Sequence, residues 1–253
     1  MRLTETVKQL LIINIIMFIG MYVSRQPEFV TVLLGLHFPE NNSFGFWQII
    51  THMFMHDYRG FSHILFNMLA LWMFGVSIEG ILGSKRFLFF YISCGLGAAI
   101  IQIIFLYFNF YSNLEILINA EYDSSQIFEI LNSGKWKYDP AWSGVLGESN
   151  FLSFMSSFNS LMVGASGAIM GVLVAFGMFF PESKLMLIFF PVPIKAKYFI
   201  PGIIILDLIS AISGFSFFSP SNTAYVAHLG GALTGFLIMY YWKRNQFNSN
   251  RWY

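Results

Sequence analysis

Charged residues are scarce in this 253-residue chain, and cysteine is almost absent. Only 11% of the residues are charged, whereas an ordinary soluble domain carries roughly 25%. Hydrophobic residues make up 56%, too much apolar surface for so few charges to keep in solution. The single cysteine, Cys94, excludes an internal disulfide. A formal net charge of +1 gives no basic surface, so we expect no nucleic-acid partner. The composition predicts an all-α integral membrane protein.

Six apolar stretches are long enough to cross a lipid bilayer, which needs about 20 residues per helix. They cover roughly residues 7–24, 61–82, 86–109, 160–180, 197–215 and 224–242. No small-residue cleavage site follows the first stretch, so we expect a retained span rather than a signal peptide. The sequence thus predicts a six-transmembrane-helix bundle that forms a single membrane domain over residues 1–253.

Basic residues are unequally divided between the two sides of the predicted bundle. Ten of the 14 lysines and arginines, Arg251 among them, fall on the side that carries both termini. Such an excess marks the cytoplasmic side, so we expect both termini to be cytoplasmic. The loop 214–222, before the last span, has no basic residue, as expected of an outer loop. We expect the membrane to be a bacterial inner (cell) membrane.

Three segments between the spans are not simple connections. The first outer loop, about 25–60, remains apolar and carries Trp47, so we expect it to dip into the membrane interface. The acidic segment of about 111–159 is too long for a connection and predicts an extramembrane insertion with short helices of its own. Three prolines in the link 181–196 exclude a continuous helix there.

Four polar side chains on three spans are predicted to lie at one depth. Each is within about six residues of the outer end of its span, or roughly 3–9 Å at about 1.5 Å per residue. Polar residues inside a membrane cost free energy and usually mark function. The four residues are Ser166, His228, His63 and Asn67. The last two are spaced i, i+4 on one helix face, and both could donate hydrogen bonds to an oxyanion beside the serine.

Glycines beside the serine and the histidine predict close helix packing. Small residues four apart let two membrane helices approach closely. A hydrogen bond of about 2.6–3.2 Å between Ser166 and His228 requires such an approach. The glycines concerned are Gly164 and Gly167 around the serine, and Gly231 and Gly235 after the histidine.

The histidines of the first outer loop allow a different interpretation. His52 and His56 are spaced i, i+4 and could share a metal ion with His63. Asp57 is adjacent, but no carboxylate or cysteine completes a convincing ligand set. We therefore favour loop-anchoring hydrogen bonds and expect no metal.

Two carboxylates also fall inside predicted spans. Glu79 lies near the cytoplasmic end of the second span, where we expect it to pair with Lys85 or Arg86. Asp207 could orient His228, but it lies nearer the middle of the fifth span, at a less favourable depth.

The motifs around these residues resemble those of the rhomboid intramembrane serine proteases, in the family's order. The similar segments are Trp47 to Phe54, His63-Ile64-Leu65-Phe66-Asn67, Glu79 with Gly83-Ser84-Lys85, Gly164-Ala165-Ser166-Gly167, and Ala227-His228-Leu229-Gly230-Gly231 with Gly235. Two positions differ from the family pattern. Gln48 stands where the family often has arginine, which concerns the anchoring of the loop. Met170 stands where some members have an aromatic residue, which concerns packing against His228.

The resemblance implies a serine endopeptidase that cuts a peptide bond in or near the outer end of a substrate's transmembrane helix. Ser166 would be the nucleophile and His228 the general base, a dyad that requires no acid. His63, Asn67 and the backbone N–H of Ser166 would form the oxyanion hole. No cofactor is implied, the substrates would be single-span membrane proteins, and the oligomeric state is left open. The alternatives are a catalytically silent relative that binds or escorts membrane proteins, and a small transporter.

Overall fold

The computed structural model describes residues 2–187, 190–213 and 225–245, and the chain in these ranges is mostly helical. Its helices are α1 (Glu5–Val23), α2 (Pro27–Leu34), α3 (Gln48–Thr51), α4 (Ser62–Ala70), α5 (Val76–Leu82), α6 (Ser84–Asn119), α7 (Ser124–Asn132), α8 (Ala141–Leu146), α9 (Glu148–Phe158), α10 (Ser166–Phe179), α11 (Ala196–Ser213) and α12 (Tyr225–Asn245). A 3-10 turn at His52–Phe54 follows α3, and a π-helical turn at Leu71–Gly75 joins α4 to α5. Four short strands form two antiparallel pairs: β1 (Leu36–His37) with β2 (Leu161–Met162), and β3 (Lys184–Leu187) with β4 (Phe190–Lys195).

Four helical segments of the described chain are long and apolar enough to cross a membrane. They are Glu5–Val23, Ser62–Leu82, Ser84–Asn119 and Ala196–Ser213, at the first, second, third and fifth predicted spans. At the fourth and sixth, α10 has 14 residues and α12 has 21. The membrane character of the chain is therefore confirmed, while the count of six spans and the side of the termini stay predictions. The loop 214–222 and Arg251, both used for the orientation, lie outside the described residues.

The third helix extends well beyond its predicted end near residue 109. With 36 residues α6 is about 54 Å long, whereas the hydrocarbon core of a bilayer is about 30 Å thick. Its last turns carry an apolar stripe of Phe110, Leu114 and Leu117. These three side chains are buried against the helices that follow. The first residues of the acidic segment, Glu115 among them, therefore belong to α6, and the short helices of the segment follow after Asn119.

Residues 120–160 form a small helical layer on this projecting part of α6. Asp123 begins α7 by accepting a hydrogen bond from the backbone N–H of Gln126, a typical N-cap. Helices α7, α8 and α9 and the first loop bury a second apolar cluster, separate from the main core. Its buried members are Phe38, Leu106, Phe110, Leu114, Leu117, Ile127, Leu131, Trp142, Leu146, Phe154, Met155 and Phe158.

Helix α10 lies at the centre of the main core. All of its residues from Gly167 to Phe176 are buried, so the helix is enclosed on every side by other helices. It packs chiefly against α12, α6 and α11, and on another side against the π turn that joins α4 to α5. Cys94 of α6 is buried here as a small apolar residue.

Glu79 does not pair with Lys85 or Arg86, contrary to the prediction. Its two carboxylate oxygens instead accept hydrogen bonds from the hydroxyl of Thr4 and the backbone N–H groups of Thr6 and Val7, at 2.5–2.8 Å. Ser84 donates a fourth hydrogen bond, at 2.7 Å. The first N–H groups of a helix lack internal acceptors and attract negative charge. The buried carboxylate thus caps α1 and ties it to the middle of α5 and the start of α6.

The described residues of the link 181–196 form a pair of antiparallel strands rather than a continuous helix, in agreement with its prolines. Strands β3 and β4 pair antiparallel, and Glu182 just before them forms ion pairs with Lys195 at 2.7 Å and Lys197 at 2.5 Å. Hydrogen bonds from the two lysines lower the pKa of Glu182 to about 2. All three groups are substantially exposed, so solvent screening leaves them a small share of the stability.

Candidate active site

Ser166 is the first residue of the buried central helix α10. It follows a sharp turn in which Gly164 adopts a left-handed φ of +127°, a conformation that favours glycine. The turn is anchored because the Gly164 N–H donates a hydrogen bond of 2.9 Å to the carbonyl of His52. Ser166 is only partly buried, and the first N–H groups of its helix have no acceptor within the helix. These N–H groups can therefore stabilise negative charge beside the serine hydroxyl.

His228 lies in the first turn of α12 and reaches the serine. Its Nε2 is 2.8 Å from Ser166 Oγ, a hydrogen-bond distance between residues 62 positions apart in sequence. The side chain of His228 is 14% exposed, so the pair is largely withdrawn from solvent but still open on one side. A serine hydroxyl that donates to an imidazole nitrogen is the arrangement from which the proton can be removed.

Direct backbone contact between α10 and α12 brings the two side chains together. A Cβ atom on Gly231 would lie 1.8 Å from the Gly167 carbonyl oxygen, and one on Gly235 would lie 2.6 Å from Gly171 Cα. No side chain larger than hydrogen fits between the helices at these points. The partners of Gly231 and Gly235 are thus Gly167 and Gly171.

Gly164 has a different environment from the one we expected. It precedes α10, and a Cβ there would lie 2.9 Å from His63 Nε2, with no atom of α12 among its three nearest neighbours. Its role is to permit the turn and to leave room for the His63 ring. The helix-packing prediction for this glycine is therefore replaced, because the serine begins the helix instead of lying six residues inside it.

His63 in α4 presents its Nε2 to the nucleophile turn. Its other ring nitrogen, Nδ1, accepts a hydrogen bond of 3.3 Å from the backbone N–H of Asp57. A neutral imidazole whose Nδ1 accepts carries its hydrogen on Nε2. The ring therefore offers a donor on the side that faces Gly164 and Ser166.

Asn67 lies one turn further along α4 and is buried. Its side-chain amide donates one hydrogen bond of 2.9 Å to the carbonyl of His63. An amide nitrogen has two hydrogens, so one donor remains after this bond. The predicted pair of donors thus lies on one helix face, with His63 the nearer to the serine turn.

Asp207 in α11 contacts the far side of the His228 ring. Its Oδ2 is 3.0 Å from His228 Nδ1, and the two side chains are 13% and 14% exposed. From the sequence this contact was an open possibility at a less favourable depth, since Asp207 lies nearer the middle of the fifth predicted span. The 3.0 Å contact places the two side chains at a similar depth in the helix bundle.

Gln48 supplies the loop anchoring that its difference from the family pattern had put in question. The side chain is completely buried. Its amide nitrogen donates to the carbonyls of Ser43, at 2.8 Å, and of Val32 and Leu33, each at 3.3 Å. Its oxygen accepts from the N–H of His37 at 3.2 Å. A neutral amide therefore cross-links the loop. At the other differing position Met170 is buried in the main core.

Of the two loop histidines, His52 anchors the loop through hydrogen bonds, whereas His56 is held by packing. His52 donates from Nδ1 to the Gln48 carbonyl at 2.8 Å, and its own carbonyl holds Gly164. The His56 ring packs edge-on against His63, with centroids 5.0 Å apart. Burial lowers the pKa of His52 to about 4 and that of His56 to about 3. Among the described residues no three histidine, cysteine, aspartate or glutamate side chains could hold a metal ion.

The fold and this cluster define a helical membrane protein in which a serine and a histidine meet at one end of two touching helices. The rhomboid domain family matches residues 43–118 and 123–245, which is more than half of the chain. The chain belongs to the rhomboid family.

Several curated proteins are similar to this chain. Rhomboid protein 1, mitochondrial, from Saccharomyces cerevisiae is 27% identical over 224 residues, which cover 88% of this chain and 46% of the yeast protein. Presenilin-associated rhomboid-like protein, mitochondrial, from Homo sapiens is 29% identical over 190 residues, or 73% of this chain and 36% of the human protein. Rhomboid protease GluP from Bacillus subtilis is 37% identical over 59 residues, or 23% and 11%. The chain spans less than half the length of each of these relatives.

The expected bacterial inner membrane is wrong. The similar proteins from yeast, rat and human are mitochondrial by name. The expectation failed because an excess of basic residues distinguishes one side of a membrane from the other. The distribution of basic residues carries no information about which membrane the protein occupies.

Proposed function

We propose that this chain is an intramembrane serine endopeptidase that acts through Ser166 and His228. The observation that supports this proposal best is the 2.8 Å contact between Ser166 Oγ and His228 Nε2 at the start of two tightly packed helices. The family membership supports it further, since a relative with a matching segment is named a protease. A silent escort protein or a transporter would have no need of this pair in hydrogen-bond contact.

The reaction would begin with transfer of the serine proton to His228 Nε2 as Oγ attacks the carbonyl carbon of the substrate. The electron pair of the carbonyl then moves to its oxygen. The N–H groups at the start of α10, the Nε2–H of His63 and the free amide hydrogen of Asn67 would stabilise that charge. His228 returns the proton to the leaving nitrogen, and water releases the acyl group by the same steps. No cofactor is required.

The substrate would be a single-span membrane protein cut near one end of its helix. Ser166, His228 and His63 each lie within the first four residues of their helices, so the reaction would take place near the membrane surface at that end. A peptide bond inside an intact helix is shielded by its hydrogen bonds, so helix-breaking residues near the cut should favour cleavage. The space among glycines favours a small residue just before the scissile bond. We propose a mitochondrial membrane as the location.

The test is cleavage of a single-span substrate in proteoliposomes. Ser166→Ala and His228→Ala should each abolish cleavage, and the double variant should be no worse than either, because the pair acts as a unit. Ser210→Ala, a change at a buried serine of α11, is the control and should cleave normally. If either single variant kept cleavage within about tenfold of wild type, the dyad would be refuted.

A further inference from the structure

The carboxylate of Asp207 has no part in the two-residue mechanism described above. It lies inside an apolar helix, where an ionisable side chain is costly unless it has a partner. Among the described residues its recorded partner is His228, through the 3.0 Å contact between Oδ2 and Nδ1. From this geometry we infer that Asp207 is a positioning residue, which holds the His228 ring in the orientation and tautomer that the reaction needs. The inference rests on the proposed function.

The two ring nitrogens of His228 face different partners. A neutral imidazole carries one hydrogen, and the nitrogen without it is the acceptor. A carboxylate 3.0 Å from Nδ1 draws the hydrogen to that nitrogen. Nε2 then carries the lone pair, and Nε2 is the atom that faces Ser166 Oγ at 2.8 Å. With the hydrogen on Nε2 instead, the ring could not accept the serine proton.

The same contact stabilises the charged ring that forms during the reaction. When the O–H bond of Ser166 breaks, its proton forms a bond to Nε2 and the ring becomes an imidazolium. The hydrogen on Nδ1 stays there and donates to Asp207, whose negative charge offsets the new positive charge at close range. The proton on Nε2 later passes to the leaving nitrogen as the C–N bond breaks. Asp207 gains no proton at any step.

A purely structural role is the alternative, since the same hydrogen bond also joins α11 to α12. Asparagine distinguishes the two roles because it has nearly the same shape and can still bond to either ring nitrogen. It is uncharged, and its amide N–H can stabilise the wrong tautomer. Asp207→Asn should therefore preserve the helix contact but impair the reaction, whereas Asp207→Glu keeps the charge at a slightly altered distance.

The experiment measures kcat, KM and the thermal midpoint for Asp207→Asn, Asp207→Glu, Ser166→Ala and the control Ser210→Ala with a single-span substrate in proteoliposomes. We expect Asp207→Asn to lower kcat by about 10²-fold with KM within about twofold of wild type. Asp207→Glu should recover about a tenth or more of the wild-type kcat. The rate of labelling by a fluorophosphonate should fall in parallel, because it reports the activation of the serine without a bound substrate.

Two results would overturn the positioning role while leaving the proposed function intact. One is an Asp207→Asn enzyme with wild-type kcat beside an inactive Ser166→Ala. The other is loss of thermal stability and activity together in both Asp207 variants, which marks a structural contact. Full activity of Ser166→Ala would instead refute the proposed function itself, and the inference with it.

Discussion

Two buried asparagines make the same local hydrogen bond, but only one of them lies near Ser166. Asn67 and Asn113 are both buried in apolar helices, and both donate to the carbonyl four residues before them, at 2.9 and 2.7 Å. Only Asn67 shares a helix face with His63 near the serine turn. The two asparagines thus differ in location, so a substitution of Asn67 tests function and the same substitution of Asn113 is its control.

Asn67→Ala should lower kcat by about 10²-fold, the low end for loss of one oxyanion donor, because other donors remain. KM and the thermal midpoint should change little. Asn113→Ala removes the same kind of hydrogen bond from a buried site in α6 and should leave kcat unchanged. Equal kcat values for the two variants would show that Asn67 has no role in the oxyanion hole.

His56 is a buried group whose removal should help the protein at low pH. Among the described residues neither of its ring nitrogens has a well-aligned hydrogen-bond partner, and burial lowers its pKa from 6.5 to about 3. Between these values the unfolded chain binds a proton that the folded protein does not, so stability falls as the pH decreases below 6.5. The loss from this one histidine is about 2 kcal/mol between pH 7.5 and pH 5.

We therefore expect the thermal midpoint of His56→Leu in detergent at pH 7.5 to equal or exceed that of wild type, since an unpaired polar group is replaced by an apolar one. Between pH 7.5 and pH 5 its thermal midpoint should decrease less than that of wild type. An identical decrease in both proteins would mean that His56 does not remain neutral in the fold.

At the scale of the elements, the contact between α10 and α12 sets the geometry of the site. Gly167 and Gly171 on one helix meet Gly231 and Gly235 on the other without intervening side chains. Because Ser166 and His228 lie at the start of these two helices, a small displacement of either helix lengthens their hydrogen bond. Glycine spacing thus controls both stability and the site.

Gly231→Ala should destabilise the protein by about 1–3 kcal/mol, because the new methyl group would meet the Gly167 backbone. Gly20→Ala in α1 is the matched control, since a Cβ there has nothing within 4 Å. The control should be neutral or slightly stabilising, as alanine favours a helix over glycine. Equal thermal midpoints for the two variants in detergent would contradict close packing of α10 on α12.

The sequence predicted those features that depend on residues close together in the chain, and it missed contacts between distant segments. Polarity and glycine spacing in single helices pointed to Ser166 and His228, and apolar runs predicted six spans, four of which coincide with long apolar helices of the described chain. The contact of Asp207 with His228 was undervalued because relative depth in two helices depends on tilt and on exact helix ends. Glu79 was paired with nearby basic residues, whereas the fold brings the start of α1, more than 70 residues away, to its carboxylate.

At the scale of the whole molecule, the chain combines a buried helical core with a second apolar cluster on the far part of α6. The two clusters share α6. Residues 36–38 of the first loop contact the second cluster through Phe38, and the His37 N–H donates a hydrogen bond to Gln48 in the loop whose His52 carbonyl anchors Gly164. Strand β1 pairs with β2 shortly before the serine turn. Residues 120–160 are therefore connected to the serine turn through the paired backbones of β1 and β2.

Phe154→Ala in α9 should cost about 3–5 kcal/mol of local stability, since the ring is fully buried and stacks on Phe110 with centroids 4.8 Å apart. Limited proteolysis should then cut residues 120–160 faster. Leu152→Ala changes an exposed residue of the same helix and should have little effect. Equal cleavage rates of the two variants would argue against a folded layer on α6.

The most direct test of the central claim is covalent labelling of the protein by a fluorophosphonate, which reacts with an activated serine. In detergent or proteoliposomes the wild-type protein should be labelled at Ser166, as mapped by mass spectrometry. Ser210→Ala should be labelled equally, Ser166→Ala not at all, and His228→Ala only weakly because the base is missing. Absence of labelling in the wild type, or undiminished labelling of Ser166→Ala, would contradict the account.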